Sequence, residues 1–380
     1  MKVFYALGLL CFVAACGGGT GSPSMERPTS EPAGEAPSTM VLPSSYQNFK
    51  AVGLTPQNLP RGLSGVGVVR AYADFSGQGR LDLFAASLTY DVRRPIQQAT
   101  PSRLDIWRKQ ADGSFEQDTV LVSSNQGCIH PRRAIVADFN ADKRPDVFLA
   151  CHGYDDLPYP GERNLVILSL PNGRYEVKPA APDVGFFHSA SAADLNGDGL
   201  PDVVVTNNFD PAVVYAFINK GMGVFERESR PRFPASLSGK GLFTVELVDV
   251  NEDGQPDALL GGHEWGGTTT ALLLNPGNND FAQVAPITLP PVSGEGVVLD
   301  FAVTGQAASR HLWVLRTSGS ETGSFYQGRT VQKISWPSLV SSTPLRQRDA
   351  SWFQWLIPTV LGGQAVMSSE DASVGVQVAQ

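Results

Sequence analysis

The sequence predicts an all-β fold, a β-propeller of four-stranded antiparallel blades. A ten-residue acidic segment recurs four times, with first aspartates at positions 74, 138, 194 and 249, so the intervals are 138 − 74 = 64, 194 − 138 = 56 and 249 − 194 = 55 residues. Short runs rich in branched and aromatic residues flank each copy, and such residues suit a pleated, half-buried surface. No long stretch carries apolar residues at helical spacing, which disfavours a helical repeat protein.

Each repeat unit is predicted to be a meander of four strands. In the second unit, strands are expected around residues 134–136, 147–149 and 165–168, and the turn Pro171-Asn172-Gly173 leads into a fourth strand. Turns of this composition join antiparallel neighbours. A row of small sheets loses its exposed edges when it closes into a ring, so the repeats predict a propeller.

The number of blades depends on the chain after the fourth acidic segment. A fifth unit is expected to begin near residue 297 without the carboxylates, and a sixth to use strands at 352–356, 364–367 and 374–378. The fourth strand of that last unit is expected from residues 46–52, which would latch the ring shut. We therefore expect six blades, with seven as the alternative count.

The first residues resemble the export signal of a bacterial lipoprotein. An apolar run ends in Ala14 and Ala15 directly before Cys16, the arrangement of a secretory signal with a compact cleavage site. The resemblance implies that residues 1–15 are removed and that Cys16 carries a lipid anchor. An ordinary cleaved signal with an incidental cysteine is the alternative. Gly17 follows in place of an aspartate, which favours the outer membrane.

Residues 16–45 are expected to form the lipidated terminus and a flexible linker, and residues 46–380 the propeller. The linker is rich in Gly, Ser, Thr, Pro, Glu and Ala, a composition that cannot bury enough apolar surface to fold. The net charge is −8 and the basic residues are scattered, without the basic stripe that nucleic-acid binding needs. We expect a monomer that meets the membrane only through its anchor and binds no nucleic acid.

Two unmodified cysteines, Cys128 and Cys151, would remain in the mature chain. In an oxidising compartment a lone pair of cysteines favours a disulfide. Two separate buried thiols are the alternative.

The acidic segments have the donor pattern of calcium-binding loops. Positions 1, 3, 5 and 9 carry side-chain oxygens, and position 7 adds a backbone carbonyl; Ca²⁺ takes about six to eight oxygen ligands. The third and fourth segments are complete, the second has Lys143 where glycine is expected, and the first has weaker donors. The predicted ligands are Asp194, Asn196, Asp198, Leu200 and Asp202; Asp249, Asn251, Asp253, Gln255 and Asp257; Asp138, Asn140, Asp142, Arg144 and Asp146; and Asp74, Ser76, Gln78 and Asp82. Plain Asp-Gly turns are the alternative.

This nine-residue pattern, followed by an apolar strand, closely resembles the FG-GAP/VCBS repeats of integrin-α-like propellers. The resemblance covers roughly residues 65–280. It implies that the cation lies in the loop joining the first two strands of a blade and that its role is structural. The segments are not EF-hands, because no glutamate stands at position 12 and no helices flank them.

Four histidines lie one short strand away from the acidic segments. The separations are 138 − 130 = 8, 194 − 188 = 6, 152 − 146 = 6 and 263 − 257 = 6 residues. One strand therefore lies between each histidine and its acidic segment, which places the histidine at the opposite end of that strand. Loops on a rigid scaffold often form binding surfaces. The candidate ligand face, for a glycan or a protein, comprises His130, His152, Tyr154, Asp155, His188, His263, Glu264 and Trp265. Ordinary exposed loop residues are the alternative.

No catalytic residue is assigned. The sequence has no Gly-x-Ser-x-Gly elbow, no phosphate-cradling glycine loop, and no second histidine at metalloprotease spacing after His263-Glu264. Some propellers with similar repeats are polysaccharide lyases, so a carbohydrate-active enzyme is the alternative to a binding or adhesion module stabilised by Ca²⁺. A lyase would need a base next to a neutralised uronate, and the histidines are its candidates.

Overall fold

A computed structural model describes residues 69–88, 91, 93–122, 126–319, 325–349, 353–357, 366–369 and 376–378. Within these ranges the chain consists of β-strands joined by loops and by short 3-10 turns of three residues each. Neighbouring strands are antiparallel and follow chain order within each sheet. No helix in the described ranges is long and apolar enough to cross a membrane.

The first three sheets have four strands each. The first contains β1 (Val69–Ala73), β2 (Asp82–Ala86), β3 (Leu104–Lys109) and β4 (Phe115–Asp118). The second contains β5 (Pro131–Ala137), β6 (Asp146–Cys151), β7 (Glu162–Ser169) and β8 (Tyr175–Gly185). The third contains β9 (Phe187–Ala193), β10 (Asp202–Asn207), β11 (Val214–Asn219) and β12 (Phe225–Arg227).

Two further four-stranded sheets and one three-stranded sheet follow. The fourth contains β13 (Leu242–Val248), β14 (Asp257–Gly262), β15 (Ala271–Leu273) and β16 (Ile287–Thr288). The fifth contains β17 (Val297–Thr304), β18 (His311–Thr317), β19 (Arg329–Ser335) and β20 (Ser341–Gln347). The last contains β21 (Phe353–Ile357), β22 (Val366–Ser369) and β23 (Val376–Val378).

The protein is a β-propeller with five four-stranded blades in the described part of the chain, so the expected count of six is wrong, as is the alternative of seven. The residues predicted to open a sixth blade do form strands, but β21, β22 and β23 make a sheet of three. The strand expected to complete that sheet, at 46–52, lies outside the described residues. A sequence can show that strands continue, whereas the number in each sheet depends on pairing between distant segments.

The second strand of the first four blades is buried along its whole length. Neither β2, β6, β10 nor β14 contains an exposed residue, because each lies between two strands of its own sheet and adjacent blades cover its faces. Strands covered on both faces read as continuous apolar runs instead of alternating ones. Between blades, the ring of Phe225 lies 5.5 Å from the rings of both Phe139 and Phe148.

The first strands of the blades lie innermost, and a buried arginine joins three of them. Arg133 in β5 donates to Asp300 in β17 and to Glu246 in β13, both at 2.7 Å. The backbone amide of Leu356 in β21 donates to the same aspartate. The strand β5 packs beside β1 and β9, the first strands of the two neighbouring blades. A side chain of β5 that reaches β13 and β17 therefore crosses the central axis. All three charged side chains are buried.

Candidate functional site

Two regions at opposite ends of the inner strands carry the predicted functional residues. We call the first the loop rim; it consists of loops 74–82, 138–146, 194–202 and 249–257. Each loop joins the first and second strands of a blade, and its last aspartate pairs with the residue just before its first, as in Ala137 and Asp146. The first four blades therefore present the same kind of loop at the same place.

The first aspartate of each loop holds the turn together. Asp138 accepts hydrogen bonds from the amides of Asp142 at 3.0 Å and Lys143 at 2.7 Å. Asp249 accepts from the amides of Asp253 at 3.2 Å and Gly254 at 2.8 Å. The same aspartate position in the other two loops also accepts two amides. These bonds aim the carboxylate into the concave side of the turn.

The last aspartate of each loop has a structural role that the sequence did not reveal. Asp146 is fully buried and accepts the amides of Phe139 at 2.8 Å and Ser169 at 2.7 Å, so it ties the loop to the end of β7. Asp202 and Asp257 make the equivalent pair of bonds, and Asp82 accepts the amides of Ser76 and Lys109. Burial raises the pKa of Asp146 to about 7 and those of Asp202 and Asp257 to about 6.

All four loops share one backbone shape. Positions 4 and 6 have positive φ in every loop, and three of those eight residues are not glycine: Ala141 at 62°, Lys143 at 68° and Glu252 at 63°. Lys143 therefore adopts the left-handed conformation for which glycine was expected at this loop position, at a cost of about 1–2 kcal/mol.

The oxygen donors of the loops are of the kind that Ca²⁺ prefers, but their acidic side chains do not converge on one point. Oxygens from Asp, Asn and backbone carbonyls are the ligands that Ca²⁺ prefers. In the first loop the side-chain oxygen of Gln78 is already occupied by Arg80, in keeping with the weak site expected there. No group of three or more His, Cys, Asp or Glu side chains among the described residues is arranged to hold a metal ion. Calcium binding stays a prediction.

The second region lies at the other end of the inner strands, and we call it the ring arc. His130 immediately precedes β5, His188 is the second residue of β9, and His152 and His263 immediately follow β6 and β14. The ring centroids of His130 and His152 are 5.0 Å apart, and those of His152 and His188 are 4.5 Å apart. Three histidines from two blades thus form a continuous row of ring contacts.

Phe243 extends the ring arc into the fourth blade. Its ring stacks on His188 at 4.4 Å and approaches His263 at 4.0 Å. His263 is 5.1 Å from Trp265, and its Nε2 lies 2.9 Å from the hydroxyl of Tyr326 in the fifth blade. The ring arc consists of His130, His152, His188, Phe243, His263, Trp265, Phe325 and Tyr326.

Sequence reasoning missed Phe243 and Tyr326. Phe243 had a detectable signal, because it lies 249 − 243 = 6 residues before its loop, as His188 does at 194 − 188 = 6. Arg132 occupies the same position in the second blade, at 138 − 132 = 6. Tyr326 lies in a unit without an acidic segment, so no repeat position identified it.

Several residues of the candidate ligand face are buried or bonded within the protein. His130, His152 and Tyr154 are buried. The Tyr154 hydroxyl donates to the backbone oxygen of Arg94. Glu264 turns inward, where the buried Arg316 donates to it at 2.8 Å and Thr270 also bonds it.

Exposed residues of this region come from the second, fourth and fifth blades. Trp265 is 39 % exposed and Tyr326 is 41 % exposed. Asp155 is exposed, while His188 and His263 are half-buried. Trp265 is braced by Phe325, whose ring lies 4.9 Å away in an edge-on arrangement. This end of the ring arc presents fixed aromatic surfaces to solvent.

The imidazoles are neutral at physiological pH. Burial lowers the pKa of His152 to about 3 and that of His263 to about 4, and the charge of Arg132 adds to the effect on His152. Burial also holds the pKa of His130 and of His188 well below the ordinary range. Burial raises the pKa of Tyr326, Arg132 opposes the change, and Asp155 adds to it. The charges of Arg132 and Asp155 therefore act on the far end of the ring arc.

A covalent bridge lies directly under the first histidines. The sulfurs of Cys128 and Cys151 are bonded, and their Cα atoms are 6.0 Å apart. Beside the bridge, the amide of His152 donates to the backbone oxygen of His130 at 2.9 Å. Glu162 accepts the amide of Ile129 at 2.8 Å. These bonds fix the buried end of the ring arc.

The successive four-stranded sheets, with the same kind of loop in the first four, define the chain as a β-propeller built from repeats. A sequence profile of the FG-GAP-like repeat matches residues 74–149 and 194–260. The protein therefore carries FG-GAP-like repeats, as its acidic segments predicted. Residues 1–45, including Cys16, lie outside the described residues, so the lipid anchor stays a prediction.

Two integrin chains share part of this sequence. Integrin alpha-PS5 of Drosophila melanogaster is 40% identical over 90 residues, which is 20% of this chain and 8% of that protein. Integrin alpha-PS3 of the same organism is 36% identical over 100 residues, 24% of this chain and 9% of that protein. The chain thus spans less than a tenth of the length of these relatives.

A solved structure resembles the whole propeller. A candidate 6-phosphogluconolactonase from Bacteroides uniformis matches with a TM-score of 0.53 at 12% identity, over 84% of this chain and 82% of that one. At this level of identity the match demonstrates a common fold only.

Proposed function

We propose that the protein is an exported, membrane-anchored binding module in which Ca²⁺ stabilises the loop rim and a glycan or protein ligand contacts the ring arc. The observation that carries the proposal is the continuous run of ring contacts from the second blade to the fifth, which ends in the exposed Trp265 and Tyr326. Exposed aromatic rings held rigidly, with a few polar groups nearby, are typical of ligand sites.

The loop rim supports the structural half of the proposal. It offers Asp and Asn oxygens at matching places in separate blades, each loop being shaped by amide bonds to its first aspartate. A cation there would neutralise carboxylates that lie close together and would stiffen the turn between two inner strands.

Calcium titration by calorimetry, combined with thermal melting, tests this half. Ca²⁺ at a hundredfold excess over Kd should stabilise the protein by about 2.7 kcal/mol per site. Asp198→Ala and Asp253→Ala should each remove the contribution of one site. Asp112→Ala, in an exposed turn between β3 and β4, is the matched control and should leave the calcium response intact. A wild-type protein that Ca²⁺ neither binds nor stabilises would overturn the calcium half.

Affinity electrophoresis in gels that contain a panel of polysaccharides tests the ligand half, with surface plasmon resonance on immobilised matrix proteins as its parallel. Trp265→Ala should lower the affinity for any retained ligand at least about tenfold. Met222→Ala is the matched control, because Met222 is 70% exposed and lies in the turn between β11 and β12, on the side of the loop rim. Equal losses in the two variants would place the ligand elsewhere.

A second candidate function, polysaccharide lyase activity, is favoured by one contact. His263 and Tyr326 form a hydrogen-bonded pair at 2.9 Å near solvent, and the lowered pKa of His263 keeps its imidazole neutral and able to accept a proton. Elimination would move the C5 proton of a uronate to the base, form the C4–C5 double bond and expel the C4 oxygen, which takes a proton. Release of unsaturated sugars, lost in His263→Gln, would establish this activity, and retention without turnover would establish binding alone.

A further inference from the structure

We propose that the ligand of the ring arc is an acidic carbohydrate, whose sugar carboxylate is bound by Arg132 while its rings lie on Trp265 and Tyr326. The inference rests on the proposed function, since it assumes that the ring arc is the ligand site, and it specifies the chemical class of that ligand.

Arg132 is unusual among the arginines around it because it has no acidic partner. The neighbouring Arg133 pairs with two buried carboxylates, and Arg316 pairs with Glu264. In the part of the chain that the structure describes, no carboxylate forms an ion pair with Arg132. Its guanidinium instead lies 3.4 Å from Nε2 of His130. Arg132 is therefore a half-buried guanidinium that lies beside neutral imidazoles and can still bind an anion.

The position of Arg132 places that charge between the two ends of the ring arc. It stands at the start of the innermost strand β5, in the repeat position that His188 and Phe243 occupy in the next two blades. It also acts electrostatically on Tyr326 in the fifth blade, although that residue is not adjacent in the sequence of ring contacts. Arg132 is therefore bonded at the His130 end of the ring arc and is near enough to Tyr326 for its charge to affect the pKa of that hydroxyl.

A carboxylate is the anion that this arrangement suits. A guanidinium binds a carboxylate through two parallel N–H···O bonds. The surrounding histidines stay neutral, so the centre of the ring arc offers a single positive charge, matched to one carboxylate instead of a doubly charged phosphate. The exposed rings of Trp265 and Tyr326 in the ring arc fit the C–H faces of a sugar.

The test compares matched ligands by isothermal calorimetry on the full mature protein with Ca²⁺ present. The probes are oligomers of galacturonate, glucuronate, mannuronate and guluronate, each with its methyl-esterified neutral counterpart. At least one acidic oligomer should bind the wild type, and its ester should bind at least about tenfold more weakly. Arg132→Gln should weaken acidic binding by about 10- to 100-fold and leave ester binding unchanged. Trp265→Ala should weaken both.

Arg174→Gln is the control for charge, because Arg174 is exposed in the turn between β7 and β8 on the other side of the propeller; it should bind like the wild type. Thermal melting of every variant separates loss of affinity from loss of folding. Acids and esters bound equally, with Trp265→Ala still harmful, would overturn the carboxylate assignment and leave the ring arc as the ligand site. Failure of every uronate, or binding of poly-L-glutamate in their place with the same need for Arg132, would overturn the carbohydrate assignment.

Discussion

The loop rim and the ring arc lie at opposite ends of the same inner strands, yet they are built in different ways. On the loop rim each blade repeats one device, in which a first aspartate takes two amides of its own turn. In the ring arc, four blades contribute different side chains to a single chain of contacts. The loop rim is therefore modular, whereas the ring arc is continuous only through contacts between neighbouring blades.

The largest effect should come from Arg133, which lies between the two regions and joins three inner strands. Arg133→Met removes the guanidinium that pairs with the buried carboxylates of Glu246 and Asp300. Loss of one partner from a buried ion pair costs about 3–5 kcal/mol. We expect urea denaturation to show a loss of this size, with calcium response and ligand binding reduced together. Arg174→Met, at an exposed turn, should change stability by less than about 0.5 kcal/mol.

The second effect is a pH dependence of the free energy of unfolding that arises in the ring arc, from His152. The pKa of His152 falls from its ordinary 6.5 to about 3, so the unfolded chain binds a proton below pH 6.5 that the folded chain refuses. Its contribution to stability is complete above pH 6.5 and is lost as the pH falls towards 3. At pH 5, His152 alone should lower the free energy of unfolding by about 2 kcal/mol.

Neighbouring groups shape this titration. His130, His188 and Arg132 face His152, and protonation of any imidazole there would oppose that of the others. Chemical denaturation of wild type and His152→Gln from pH 7.5 to 5 provides the measurement. The variant should show the shallower loss; parallel curves would mean that His152 does not carry the effect.

Double-mutant cycles measure the difference in construction directly. His188 and Phe243 stack at 4.4 Å, so His188→Ala and Phe243→Ala should show a coupling energy of about 0.5–1.5 kcal/mol. Asp198→Ala and Asp253→Ala, in loops of separate blades, should add within about 0.5 kcal/mol. Additive ring substitutions or strongly coupled loops would reverse the distinction between the two regions.

The smallest effect concerns the one loop that lacks the usual glycine. Lys143 has a φ of 68°, a strained value for a residue with a Cβ. Lys143→Gly should relieve that strain, less the added entropy of the unfolded chain, for a net gain of about 0.5–1 kcal/mol. Gly199→Ala in the neighbouring loop, where φ is 85°, should lose at least as much. Thermal melting at saturating Ca²⁺ checks both.

The same contrast explains what the sequence could predict. The loops of the loop rim were predictable because their oxygen donors and their turn lie within nine consecutive residues, directly between two strands. For the ring arc the sequence predicted its four histidines and Trp265 at one face, but not Phe243 or Tyr326, because those contacts depend on how blades pack. Glu264 shows the limit, since its inward turn is caused by Arg316, 52 residues away.

The predicted number of blades was wrong for a related reason. The strands near 353–357, 366–369 and 376–378 were expected and are present. Whether a sheet has three strands or four depends on which distant segment joins its edge, and short apolar runs carry little information on that choice.

The side chain that spans the axis also dictates how a long ligand approaches. Arg133 and its two acids fill the space where the inner strands converge, so a polymer cannot thread through the propeller from the ring arc to the loop rim. A polymer bound as proposed would lie across the ring arc with both of its ends in solvent. Recognition would then involve an internal stretch of the polymer and would need no free terminus.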